Sequence, residues 1–120
     1  MKVLVCGGRD FNQREFLFKK LDEIHSEKNI SMIIHGCARG ADTMAKEWAD
    51  KRRIPNLGFP ADWKSFRNAA GPIRNSLMLS EGRPDLVVAF PGGNGTADMV
   101  KKSRKVGVPV IEMNVSIFKD

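Results

Sequence analysis

A glycine-rich segment near the end of the chain has the composition of an anion-binding loop. It spans residues 90–96 and reads Phe-Pro-Gly-Gly-Asn-Gly-Thr, between an apolar run at 86–89 and a helix-like stretch at 97–106. A strand, a glycine-rich turn and a helix in this order place backbone N–H groups at the positive end of a helix dipole, where phosphate binds readily. The spacing matches neither the G-x-G-x-x-G fingerprint nor the P-loop. The segment therefore indicates a phosphate-containing ligand without specifying a reaction.

A second glycine turn, Gly7-Gly8-Arg9-Asp10-Phe11, follows the first apolar run of the chain. The arginine offers a forked donor to phosphate, and Asp10 is suited to accept a ribose hydroxyl or to orient Arg9. A turn with an exposed ion pair is the alternative interpretation.

A third segment of small residues covers positions 36–42 and opens a helix. Its small side chains allow close approach of a ligand, and Arg39 adds a positive charge. Asp42 either contacts the ligand or only complements the helix dipole. His35, at the end of an apolar run, is interpreted as a core histidine with satisfied hydrogen bonds.

Polar and aromatic side chains elsewhere complete the candidate set. Trp63 either stacks on a base or packs its own loop. Arg74 lies near a helix N-terminus, where a positive charge opposes the dipole, and this favours a role in ligand binding. Thr96 can cap the last helix or bind phosphate. The candidates for catalysis are Asp98, as a general base or a ribose contact, and Arg74, although an acidic first-turn residue commonly only stabilises its helix.

These residues follow strands that alternate with helices, a pattern typical of an α/β fold with a parallel sheet covered on both faces. The expected fold is a Rossmann-like, doubly wound, mainly parallel five-stranded sheet in the order 3-2-1-4-5. Asn12 is expected to cap the first helix, and residues 61–68 to form an irregular loop. The strands are predicted at 2–6, 31–35, 56–60, 85–90 and 108–112, and the helices at 13–28, 40–53, 71–80 and 95–106, with the tail 114–120 as a further edge strand or a segment across the sheet.

In this strand order the first and fourth strands are neighbours, and a crevice opens at their carboxyl ends. The two glycine turns, 7–9 and 91–93, are expected on its two sides. The residues predicted to bind the ligand are Gly7, Gly8, Arg9, Asp10, Phe11, Gly36, Ala38, Arg39, Gly40, Asp42, Trp63, Arg74, Asn75, Pro91, Gly92, Gly93, Asn94, Gly95 and Thr96.

Size and composition are those of one globular domain covering residues 1–120, of which 42% are hydrophobic. The net charge of +6 favours anionic partners. The two cysteines, Cys6 and Cys37, lack metal-site spacing, so both are expected to be reduced and buried, and no metal is expected. No leader peptide or membrane-spanning run is recognisable, so a cytoplasmic location is expected.

Five motifs in order make the chain resemble the SLOG superfamily, which includes DprA and the LOG phosphoribohydrolases, and in particular its small YspA/YpsA-related branch of bacteria and phages. The resemblance covers nearly the whole chain, and its motifs lie at residues 7–11, 35–42, 60–63, 70–75 and 89–96. The resemblance implies a nucleotide or nucleotide-derived ligand, with no further cofactor required, and a role as a binding or sensor protein.

The resemblance also implies two alternatives. The LOG enzymes cleave the N-glycosidic bond of nucleoside 5′-monophosphates with a P-G-G-x-G-T-x-x-E motif and an arginine, which Arg74 resembles. Here Met99 occupies the glutamate position, so whether the chain is an enzyme stays open. The likeness to DprA allows single-stranded nucleic acid as a partner, although few aromatic residues are available for stacking. The resemblance further allows a homodimer or larger homo-oligomer.

Overall fold

The β-strands of this chain run parallel to one another in a single sheet. A computed structural model describes residues 1–114. The sheet has the order β3-β2-β1-β4-β5, and every neighbouring pair is parallel. Its strands are β1 (Lys2–Cys6), β2 (Met32–His35), β3 (Asn56–Gly58), β4 (Leu86–Ala89) and β5 (Val110–Glu112). The predicted Rossmann-like α/β fold and its strand order are confirmed.

Helices cover the sheet on both faces because successive side chains of a strand point to opposite sides. Val3 and Val5 of β1 belong to one hydrophobic cluster, and Leu4 and Cys6 belong to a second. The helices are α1 (Arg14–Lys28), α2 (Ala41–Lys51), α3 (Trp63–Phe66), α4 (Ala70–Ser80) and α5 (Asn94–Lys105), with a 3₁₀ turn at Arg67–Ala69. The first cluster includes side chains of α1 and α2, and the second includes side chains of α4 and α5.

Two details of the predicted secondary structure are wrong. Asn12 does not cap α1, because the helix begins at Arg14 with Gln13 as its N-cap residue, and no side-chain capping bond forms there. Residues 61–68 are not irregular, since they contain α3 and most of the 3₁₀ turn. The physical reason is a local cap: the backbone N–H of Ser65 donates to Asp62 Oδ1 at 3.1 Å, which favours a helical turn there.

The two cysteines differ in their surroundings. Cys6 is buried as expected, and burial raises the pKa of its thiol to about 12. Cys37 is exposed, contrary to the prediction, because β2 ends at His35 and Cys37 lies in the following turn with a φ of 61°. Both are free thiols.

The edge strands of the sheet are shorter than predicted, since β3 and β5 have three residues each. Apart from Asn114, the predicted tail segment lies outside the described residues. Within residues 1–114, no helix combines the length and the apolar character needed to cross a membrane.

Candidate functional site

The two glycine turns contact each other at the carboxyl ends of β1 and β4. The N–H of Gly8 donates to the carbonyl oxygen of Pro91 at 2.8 Å. A Cβ atom on Gly8 would lie 3.1 Å from Gly92 Cα, and one on Gly92 would lie 2.6 Å from the Gly8 nitrogen. Side chains at these positions would therefore push the turns apart, and the glycines allow the close approach.

The start of α5 is open. Gly93 immediately precedes the helix, and no side chain of the described residues caps it. Among the residues that the structure describes, a Cβ atom on Gly93 or on Gly95 would have no neighbour within 4 Å. The first N–H groups of a helix have no partner within the helix, and they carry the positive end of its dipole. The loop thus presents unoccupied donors to an anion.

These donors face a crevice of about 510 Å³. Its walls come from four parts of the chain: the turn after β1, the start of α2, the segment of α3 and α4, and the start of α5. Of the residues predicted to form the site, it brings together Gly7, Gly8, Arg9, Ala38, Asp42, Trp63, Arg74, Gly93, Asn94, Gly95, Thr96 and Asp98.

The remaining predicted residues lie around this crevice. Two neighbouring pockets, of about 920 and 400 Å³, share Arg9 with it. The larger is lined by Asp10, Phe11, Pro91 and Gly92, and the smaller by Gly36 and Arg39. Gly40 has a φ of 81° and packs against the backbone of Gly8 and Arg9. Its role is therefore to keep the turn after β2 in contact with the turn after β1.

Arg74 is anchored on both sides of its guanidinium group. Its Nη1 donates to the carbonyl oxygen of Gly36 at 2.5 Å, and its Nε donates to Asn75 Oδ1 at 3.0 Å. Arg74 lines the main crevice and the smaller pocket. The other guanidinium N–H groups make no hydrogen bond within residues 1–114, so they remain available to an anion in the crevice.

The buried carboxylate of Asp42 organises the turn after β2. It is 6% exposed, and its Oδ2 accepts the N–H groups of Gly36 and Ala38 at 2.9 and 3.3 Å. Burial raises the pKa of Asp42, against the opposing effects of these two hydrogen bonds and of Arg74. Asp42 therefore does more than complement the helix dipole, and it also lines the crevice.

Of the two aromatic residues predicted to bind the ligand, Trp63 lines the main crevice and Phe11 does not. Trp63 is 45% exposed, and the Arg9 Cζ lies 5.0 Å from the centroid of its ring. Phe11 is 8% exposed, and its ring packs 5.4 Å from that of Phe90 in the core. Phe11 therefore packs in the core, and it also lines the larger neighbouring pocket.

Asp98, rather than the residue at the LOG glutamate position, faces the crevice. Met99 is 0% exposed and belongs to the hydrophobic cluster beneath α4 and α5. Asp98 Oδ2 accepts a hydrogen bond from Asn75 Nδ2 at 3.0 Å and pairs with Lys102 Nζ at 3.1 Å. The carboxylate at this edge of the crevice is therefore held by two protein donors.

The structure also shows the surroundings of His35 and Asp10. His35 is buried, with its ring nitrogens bonded to Asn56 and to the N–H of Cys37, as expected for a core histidine. Arg39 and Asp10 form an exposed ion pair at 3.5 Å, which matches the alternative interpretation of Asp10.

Sequence reasoning missed four residues that line the crevice: Cys6, Asn68, Gly71 and Pro72. The motif at 70–75 was the available signal for the last two.

Comparisons with known proteins identify the family of this chain. A family model described as the YspA, cpYpsA-related SLOG family matches residues 1–66, which include the turns after β1 and β2. The Gene 61 protein of Mycobacterium phage D29 is 35% identical over 118 residues, covering 92% of this chain and 94% of that protein. The chain therefore belongs to the YspA, cpYpsA-related SLOG family.

Proposed function

We propose that this chain binds a nucleotide or nucleotide-derived ligand in the crevice between β1 and β4. The observation that carries the proposal is the uncapped, open start of α5, which shares one crevice with the partly unpaired guanidinium group of Arg74. Membership of the SLOG family supports it, because it suggests a nucleotide-related ligand.

In this proposal the phosphate binds the N–H groups of residues 94–96. Arg74 neutralises its charge from the side of α4, and Arg9 does so from the turn after β1. Backbone N–H groups and arginine forks are the donors that phosphate accepts best. The net charge of +6 favours the approach of such an anion.

The sugar and the base fit the other walls of the crevice. Asp42 and Asp98 are the two carboxylates that line it, and carboxylates accept hydrogen bonds from ribose hydroxyls. Trp63 supplies an aromatic ring that is 45% exposed, which suits stacking on a base. The crevice thus combines hydrogen-bond donors, carboxylate acceptors and an aromatic ring, the kinds of group that bind the three parts of a nucleotide.

Ligand binding is expected to change the fluorescence of Trp63, because a stacked base alters the surroundings of its exposed ring. The other tryptophan, Trp48, is 0% exposed and is expected to contribute a constant signal. Titration with a panel of purine and pyrimidine nucleoside mono- and diphosphates, followed by emission, checks this. The change is expected to disappear in Trp63→Phe, while Trp48→Phe is expected to keep it.

Affinity gives the matching test. Trp63→Leu is expected to weaken binding roughly 5- to 150-fold, the effect of losing one base–aromatic stack. Calorimetry on the folded variant measures it. Unchanged affinity in Trp63→Leu would show that the base does not stack there, and no binding of any nucleotide to the wild type would refute the proposed function.

Hydrolysis of the ligand is not expected. The LOG glutamate is replaced by Met99, which lies in the core, and Asp98 is bound to Asn75 and Lys102. Incubation with nucleoside 5′-monophosphates, followed by chromatography, is expected to release no free base. Base release that is lost in Asp98→Asn would instead assign N-glycosidase activity to this crevice.

A further inference from the structure

The buried side chain of Asn75 connects the parts of the crevice that carry the anion-binding groups. Asn75 lies on α4 and is 4% exposed. Its Oδ1 accepts from Arg74 Nε at 3.0 Å, and its Nδ2 donates to the Gly95 carbonyl oxygen at 3.1 Å and to Asp98 Oδ2 at 3.0 Å. A side-chain amide has two N–H donors, and both are used here within the protein.

These contacts make direct ligand binding by Asn75 unfavourable, contrary to its predicted role. A ligand that accepted either N–H group would have to replace the Gly95 carbonyl oxygen or the Asp98 carboxylate, so the protein would lose one of these hydrogen bonds. Asn75 is also absent from the linings of the main crevice and of its two neighbours. Its effect on a ligand must therefore pass through the groups that it holds.

One of these groups is the Arg74 guanidinium. It is bonded to the Gly36 carbonyl oxygen on one side and to Asn75 on the other. Space around it is tight, since a Cβ atom on Gly36 would lie 2.8 Å from the Arg74 Cζ. Two anchors hold the plane of the guanidinium group, and an arginine fork binds phosphate best when its geometry is preorganised.

The other groups belong to the start of α5. Gly95 lies in the first turn, whose N–H groups are the proposed phosphate donors, and Asp98 lies one turn later. Through its amide, Asn75 therefore connects the Arg74 side chain to the first turn of α5 by hydrogen bonds. Without these bonds, α4 and α5 would still be packed through Met78 and Met99, but Arg74 would no longer share a hydrogen-bond partner with Gly95 and Asp98.

We infer that Asn75 is a positioning residue that holds the Arg74 guanidinium and the first turn of α5 at a fixed separation, so that both act on one phosphate group. The inference rests on the proposed function for its ligand. Its structural part, the hydrogen-bonded connection between the first turn of α5 and Arg74, is measurable without any ligand.

Asn75→Asp tests this with almost no change in size. The new carboxylate still accepts from Arg74 Nε, but at high pH it places an acceptor against the Gly95 carbonyl and the Asp98 carboxylate. At low pH two adjacent carboxylates share a proton, which gives this position one donor and restores one of the two hydrogen bonds that the amide donates. The charged groups around this position are Arg74 on α4, Asp98 and Lys102 on α5, and Asp42 beside Arg74. Asn75→Leu, which makes no hydrogen bond at any pH, is the control.

The first measurement is hydrogen exchange of the ligand-free proteins. At pH 8 the amides of residues 97–99, which donate within α5 to the carbonyl oxygens of residues 93–95, are expected to exchange roughly tenfold faster in both variants than in the wild type, while the β1 amides keep their protection. Unchanged exchange at 97–99 would overturn the inference, whatever the ligand.

The second measurement is calorimetry with adenosine 5′-monophosphate and inorganic phosphate as probes, at pH 8 and pH 5.5. The affinity of Asn75→Asp relative to the wild type is expected to fall roughly 10- to 100-fold at pH 8 and to recover in part at pH 5.5. Asn75→Leu is expected to stay weak at both pH values. Taking the ratio of variant to wild type at each pH removes the titration of the probes themselves, of which the phosphomonoester has a second pKa of about 6.

The two failures are distinguishable. Faster exchange at 97–99 without binding of either probe to the wild type would refute the proposed function for these ligands and leave the attachment by Asn75 standing. Binding by the wild type with equal affinity in Asn75→Asp at pH 8 would overturn the inference alone.

Discussion

Gly93→Asp is expected to abolish nucleotide binding and leave the protein folded. Gly93 directly precedes α5, at the position where aspartate is among the preferred capping residues. The new carboxylate would accept the N–H groups of the first turn, which are the proposed phosphate donors. It would also repel the phosphate. Together these effects are expected to weaken binding by roughly 100-fold or more.

The fold should tolerate this change because, within residues 1–114, a Cβ atom on Gly93 has no neighbour within 4 Å. A capping aspartate in place of glycine raises helix stability by no more than a few tenths of a kcal/mol. Thermal unfolding should therefore give a wild-type melting temperature or a slightly higher one, and calorimetry with the nucleotide panel should give no detectable binding.

Two variants at the same position separate charge from size. Gly93→Ala adds a methyl group in open space and supplies no capping oxygen, so it should bind with nearly wild-type affinity. Gly93→Asn has the size of aspartate without its charge, and an intermediate loss of roughly tenfold is expected. Wild-type affinity in Gly93→Asp would show that the ligand does not use the start of α5.

Gly92→Ala is expected to destabilise the fold, although it lies next to a position that accepts alanine. A Cβ atom on Gly92 would lie 2.6 Å from the Gly8 nitrogen and 3.0 Å from the Gly7 carbonyl carbon, and it would contact Thr96 Oγ1. The first two neighbours are backbone atoms, which cannot rotate away as a flexible side chain can. The turns after β1 and β4 would have to separate.

Overpacking of this kind typically costs about 1–3 kcal/mol. Chemical denaturation of Gly92→Ala should show a loss in the free energy of unfolding of that size, with weaker nucleotide binding as the crevice changes shape. Gly93→Ala is the matched control, since the same methyl group is added one residue later. Equal stability of the two variants would contradict the close contact of the glycine turns.

Removing the Thr96 hydroxyl is a further control. In Gly92→Ala combined with Thr96→Ala, one of the three crowding atoms is absent, but both backbone neighbours remain. Only partial recovery of stability is therefore expected. Full recovery would show that the side chain of Thr96, and not the approach of the two turns, limits the size of residue 92.

The amino-acid sequence by itself determined the fold class, the strand order and the location of the crevice. Apolar runs without alternation indicate buried parallel strands, and the helical spacing of Leu17 and Leu21 indicates a covering helix, so these conclusions depend on local patterns. The glycine turns carry their own signal, because only glycine allows two backbones to approach as Gly8 and Gly92 do.

The tertiary structure alone decided what the polar and aromatic side chains contact. Asn75 resembles a ligand-binding residue in sequence, yet its amide is fully used by Arg74, Gly95 and Asp98. Phe11 and Trp63 are both aromatic residues beside a motif, but packing against Phe90 draws only Phe11 into the core. Sequence neighbours set the local backbone, whereas burial and hydrogen-bond partners come from residues distant along the chain, and the packing of α4 and α5 against the sheet brings these together.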